Sequence, residues 1–92
     1  MSSIIKDEFF KKVFDLVYQE FTEKEREFVN SMQNFGDIVA MADIREHMKQ
    51  SSGYVGMYRH KLIQLGIIEQ VHHYFVKFSL PYFKEYLNQL LD

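Results

Sequence analysis

Ninety-two residues and a mass of 11.1 kDa make one domain, read as spanning residues 1–92, near the small end of the usual domain range. The absence of Cys excludes a disulfide framework, a thiolate metal site and a Cys nucleophile, and suits a reducing cytoplasmic compartment. Hydrophobic residues at 47% and charged residues at 26% exclude a disordered chain, and no run approaches the roughly 20 apolar residues of a membrane span.

A net charge of −2 argues against a simple nucleic-acid binder, since such domains are often strongly basic. The charge is unevenly distributed. Residues 1–43 carry −4, residues 44–78 carry +3 and residues 79–92 carry −1. All four His (His47, His60, His72 and His73) also fall in the basic middle.

In chain order, Ile4 to about Phe21 predicts a helix. Ile5, Phe9, Val13, Leu16 and Val17 share one face, and Phe10, Phe14, Tyr18 and Phe21 form an adjacent stripe. So wide an apolar arc means that the helix is sandwiched or that one stripe faces a partner. Thr22-Glu23-Lys24-Glu25 reads as a capping box, opening a second helix that buries Phe28, Val29, Met32 and Phe35 and stops at Gly36. Asp37 to Met41 suffices for a connector or a very short strand. Asp43-Ile44-Arg45-Glu46 repeats the capping pattern, predicting a short third helix from about Ile44 to Lys49 with Ile44 and Met48 inward. Ser51 or Ser52 then caps a fourth helix with Val55, Tyr58, Leu62 and Leu65 inward, closed by Gly66.

Beyond Gly66 the period falls to two. Tyr74, Val76, Phe78 and Leu80 alternate with Phe75, Lys77 and Ser79, so the former face the core and Phe75 faces away. Ile67 to Val71 supplies the partner strand through a tight turn at His72-His73. Pro81 suits the first position of a last helix with Tyr82, Phe83, Tyr86, Leu87 and Leu90 inward. The expected fold is mainly α with a small β-hairpin, a winged helix-turn-helix with flanking N- and C-terminal helices.

The run from Ser52 to Ile68 (SGYVGMYRHKLIQLGII) resembles the C-terminal winged-helix domain of bacterial and archaeal AAA-type ATPases, which are related to the replication-initiator ATPases. Thr22 to Phe28 followed by Met32, Asp43-Ile44, Val76 to Pro81, and Glu85-Tyr86-Leu87 extend the likeness over about residues 9–88. The hairpin departs from it, with His72-His73 where members often carry Gly. The resemblance implies a non-catalytic module whose ATP-hydrolysing part lies elsewhere. Consistent with that, the sequence contains no Gly-x-x-x-x-Gly-Lys-Ser/Thr loop.

For duplex DNA the fourth helix is the natural reading element. Projection at about 100° per residue puts Gly53, Met57, His60, Lys61 and Gln64 opposite Val55. Lys61 suits a phosphate, His60 and Gln64 suit base edges, and Met57 suits a thymine methyl. Arg45, Lys49 and Lys77 are further phosphate contacts, enough for weak, salt-sensitive binding, and Lys61→Glu is expected to weaken it without changing the melting temperature. Arg59 projects toward the core and is read as a structural Arg paired with an acid of the second helix, with a phosphate contact as the other reading.

The competing function is protein interaction, in which Phe10, Phe14 and Phe75 pack on an ATPase domain or form a homodimer. No metal, cofactor or catalytic residue is expected. His72 and His73, as neighbours on a strand turn, point to opposite faces, and Ser51 and Ser52 are better explained as caps than as partners of His60 and Asp43.

Overall fold

The computed structural model describes residues 8–91, in the order α1 (Glu8–Glu20), α2 (Glu23–Gln33), β1 (Val39–Ala40), α3 (Met41–Met48), α4 (Ser52–Gln64), β2 (Ile68–His72), β3 (Phe75–Phe78) and α5 (Phe83–Leu91). The strands form one antiparallel sheet in the order β1-β3-β2, with Val39 opposite Val76 and Ile68 opposite Phe78. Helices α3 and α4, joined by three residues and followed by the β2–β3 hairpin, make the helix-turn-helix and wing, with α1 and α5 flanking. No helix among the described residues is long and apolar enough to cross a membrane.

One core joins every layer. Phe28, Val29 and Met32 of α2, Ile44 of α3, Val55 and Leu62 of α4, Ile68 and Val76 of the sheet, and Phe83 and Leu87 of α5 are all sealed from solvent. The capping box forms as its residue pattern requires. Glu25 N–H donates to Thr22 Oγ1 at 3.2 Å, and Thr22 N–H donates to Glu25 Oε1 at 2.9 Å. Ser51 is the cap of α4, its hydroxyl accepting from Tyr54 N–H at 3.4 Å. Gly36 and Gly66 take left-handed backbone with φ of 47° and 77°, as the chain turns away from α2 and α4.

Five local expectations are corrected. The start at Ile4 and the placement of Ile5 lie outside the described residues, but the core takes the stripe that holds Phe14 of α1 and Phe21 just beyond it. Phe14 is buried and so is not an open interface residue, Phe10 is half-buried against the core, and Phe9, Val13 and Leu16 face outward. The reason is α5: Phe14 meets Phe83 and Tyr86 with ring centroids 5.8 and 5.4 Å apart, so that stripe is covered, while of the described residues of the other stripe Val17 alone packs against the core.

Helix α3 begins at Met41, earlier than its acidic pattern suggests, with Asp43 inside the first turn and no side-chain cap. The sheet replaces the cap. Ala40 is held opposite Phe75, and Met41 N–H donates to Tyr74 O at 2.7 Å. The hairpin turns at His73-Tyr74, one residue later than expected, and an irregularity between Gln70 and His72 absorbs the extra residue. Tyr74 is therefore 73% exposed and not in the core, whereas Val76 is buried and Phe75 faces outward as the alternation demands.

Leu65 is the C-cap residue of α4 and is exposed, because the chain leaves the helical face that Val55 and Leu62 define. At the C-terminal end, Pro81 and Tyr82 form a turn and α5 starts at Phe83. Tyr82 adopts φ of 68° and is exposed, as is Leu90, while Phe83, Tyr86 and Leu87 are buried as expected.

Candidate nucleic-acid interface

The outward side of α4 carries Met57, His60 and Gln64, all exposed, with Met57 61% open. The helix is seated on the core by the buried Val55 and Leu62, with Tyr58 and Ile63 partly buried beside them. Arg45 on α3 and Lys49 at the end of α3 are also exposed, and neither has an ion-pair partner among the described residues. Lys49 occupies left-handed backbone with φ of 57°, and its N–H donates to Arg45 O at 2.9 Å, closing α3.

Helix α3 is locked to α2 by a polar contact that no sequence pattern announces. The one hydroxyl proton of Ser31 goes to Glu27 O at 2.8 Å, so His47 Nδ1–H donates to Ser31 Oγ at 2.7 Å. His47 Nε2 is then the acceptor and takes a hydrogen bond from Asn34 Nδ2 at 3.3 Å, while Phe35 lies edge-on to the imidazole. This contact helps fix where α3 presents Arg45.

The other expected phosphate contacts are engaged within the chain. Lys61 Nζ lies 3.4 Å from Glu25 Oε2, a carboxylate that is 3% exposed and also serves the capping box. Lys77 lies 3.7 Å from Glu69, its cross-strand neighbour on the hairpin. The acid of α2 thus pairs with Lys61, whereas the sequence predicts Arg59 as its partner. The half-buried Arg59 instead lines a cleft of about 170 Å³ with Arg45, Ser52, Gly56 and Tyr74, over the apolar Met41 and Val55. Phe75 stands outside this cleft, 39% exposed and edge-on to His72 at 6.3 Å.

The structure therefore gathers Met57, His60 and Gln64 on one face of α4 and joins Arg45 with Arg59 at its flank. Arg59 and Tyr74 were missed as cleft residues because their placement depends on where α3 and the hairpin tip meet. The electrostatic shifts lie elsewhere. Lys84, 2.7 Å from Asp37 and hydrogen-bonded to it, holds that carboxyl below its usual range, and burial together with a hydrogen bond to Asp15 pushes the Tyr86 phenol up. No three His, Cys, Asp or Glu side chains converge to hold a metal ion among the described residues.

A family model matches residues 11–87, and the chain belongs to that family, described as a domain of unknown function (DUF8462). No curated protein and no solved structure matches the chain.

Proposed function

We propose that the domain is a non-catalytic winged-helix module of an AAA-type ATPase, and that it contacts duplex DNA through α4 and the β2–β3 hairpin. The observation that carries the DNA reading is the set of cations beside α4. Arg45, Lys49 and Arg59 have no acidic partner among the described residues, next to a face of α4 that offers His60 and Gln64 to solvent. The ATPase association rests on the resemblance along Ser52 to Ile68 and its flanking motifs, and the cysteine-free composition suits a cytoplasmic setting. Binding is weak and dominated by phosphates, because few unpaired cations contribute and the chain as a whole is acidic.

Fluorescence anisotropy with random-sequence duplex at low and moderate salt tests the reading. Three phosphates neutralised give a slope of log K against log salt of about −3. A domain that binds no duplex even at low salt removes this function.

A second reading is favoured by α1, whose Val13 and Leu16 face outward with Leu16 63% exposed. In that reading the stripe packs on an ATPase domain or on a second copy of the chain. Sedimentation velocity of the wild type and of Leu16→Glu separates the two, since self-association lost in the variant, together with absent duplex binding, selects the protein-interaction function.

A further inference from the structure

The cleft between α3, α4 and the hairpin tip has a composition that folding does not explain. Arg45 and Arg59 come from different helices and line the same concavity, and no acidic residue lines it with them. Two guanidinium groups on one cleft repel each other, and an anion between them reverses the sign of that interaction. Ser52 and Tyr74, both hydroxyl-bearing, line it as well, and Ser52 is spare because Ser51 makes the cap. The hydrogen bond from Met41 N–H to Tyr74 O, 2.7 Å, ties the hairpin tip to the start of α3 and so fixes two walls of the cleft relative to each other.

Gly56 supplies an independent reason. A glycine inside a helix costs roughly 0.5–1 kcal/mol against alanine. Here a Cβ would meet nothing within 4 Å, and the backbone is not in the left-handed region, so neither packing nor conformation calls for glycine. Gly56 lines the cleft, and around the helix it lies between Arg59 and the exposed His60 at about 100° per residue. Its missing side chain leaves backbone open to close approach by a ligand that the free domain lacks.

We infer that this cleft is a clamp for one backbone phosphodiester of the duplex, with Arg45 and Arg59 on either side of the phosphate and Gly56 allowing the strand to come close. The inference rests on the DNA reading and deepens it by naming where a phosphate sits. A volume of about 170 Å³ accommodates one phosphate with a few waters. The clamp lies where the outward face of α4 meets the hairpin tip, so a strand running along α4 passes over it.

Two arms test it on the 92-residue chain. In the first, inorganic phosphate is titrated into ¹⁵N-labelled protein, with the Gly56 amide and Arg59 Nε resonances expected to move together and Arg59→Gln to abolish the response at Gly56. In the second, duplex affinity is measured for Arg45→Gln, Arg59→Gln, the double variant and Gly56→Ala. Each Arg variant should lose about tenfold, the double variant should lose less than the two combined because both groups act on one phosphate, and the salt slope should fall by about 0.9 only when both are removed. Gly56→Ala should raise the melting temperature by about 2–6 °C and still weaken duplex binding, which separates binding from folding.

Duplex binding that is unchanged in Arg59→Gln and Gly56→Ala overturns the clamp and leaves the DNA reading standing. Resonance shifts with phosphate but no duplex binding by the wild type overturn the DNA occupant and point to another phosphorylated partner.

Discussion

Around Phe83 the domain packs ring on ring, whereas α4 lies on the core through Val55 and Leu62 and leaves Met57 in solvent. Phe83 touches Phe14, Phe21, Phe78 and Tyr86 with centroid separations between 5.7 and 6.1 Å, joining α1, the sheet and α5 in one aromatic cluster. The α3–α4–hairpin side has instead two cleft arginines, an unforced glycine and an exposed tyrosine. Rings fill the core on one side, while on the other Ile44, Val55 and Leu62 are buried beneath a surface that presents polar and cationic groups.

The strongest way to break that contrast is Phe83→Ala, which should cost about 3–5 kcal/mol as a cavity opens among four rings. For a domain whose whole stability is about 5–15 kcal/mol, this approaches unfolding. Met57→Ala, on the other side, should stay within about 0.5 kcal/mol. Urea denaturation of both variants measures the difference, and comparable losses would contradict it.

The seam between the two sides runs through Glu25. Its carboxylate completes the α2 capping box with one oxygen and meets Lys61 of α4 with the other. Glu25→Ala should therefore cost about 1–3 kcal/mol, combining a lost cap with an unpartnered contact. Lys61→Glu should also destabilise, by about 1 kcal/mol or roughly 4–8 °C, because it sets a second carboxylate against a buried one. This replaces the expectation that Lys61→Glu spares the melting temperature. A melting temperature equal to wild type would show that the Lys61–Glu25 pair contributes nothing.

What the sequence made legible followed from local chemistry. The Thr22 box, the Ser51 cap, the left-handed Gly36 and Gly66, and the alternation from Phe75 to Phe78 each depend on residues a few positions apart, and each forms in the structure. What stayed hidden depended on long-range pairing. The start of α3 is set by Tyr74 O, more than thirty positions away along the chain. The choice between the two α1 stripes is made by α5, and the partner of Glu25 by how α4 crosses α2. The cleft escaped for the same reason, since Arg45, Arg59 and Tyr74 meet only once the hairpin tip has docked on α3.

A smaller effect sharpens the aromatic side. The Tyr86 phenol is held above its ordinary value of 10.0 by burial first and by its hydrogen bond to the Asp15 carboxylate second. The folded state then keeps a proton that the unfolded chain gives up. The contribution is full below about pH 10 and is lost as the pH rises through the folded value. Tyr86→Phe should cost about 1 kcal/mol at neutral pH through the missing hydrogen bond, and should flatten part of the alkaline decline. Melting temperatures from pH 8 to 11 compare the two proteins, and parallel curves would remove Tyr86 from the transition.

The smallest effect falls on the hairpin. Lys77 and Glu69 face each other across β2 and β3 at 3.7 Å, with side chains 46% and 52% exposed, so the pair is well solvated. Such a pair contributes about 0–0.5 kcal/mol, and Lys77→Gln should leave the melting temperature within error of wild type. A pairing this weak is also easily exchanged, because a phosphate at the hairpin can take over the ammonium while Glu69 returns to water. If the hairpin meets the duplex, Lys77→Gln lowers the salt slope by about 0.9 with no change in folding. An unchanged slope would confine the contact to α3 and α4, where Arg45 and Arg59 need no exchange of partners to receive a phosphate.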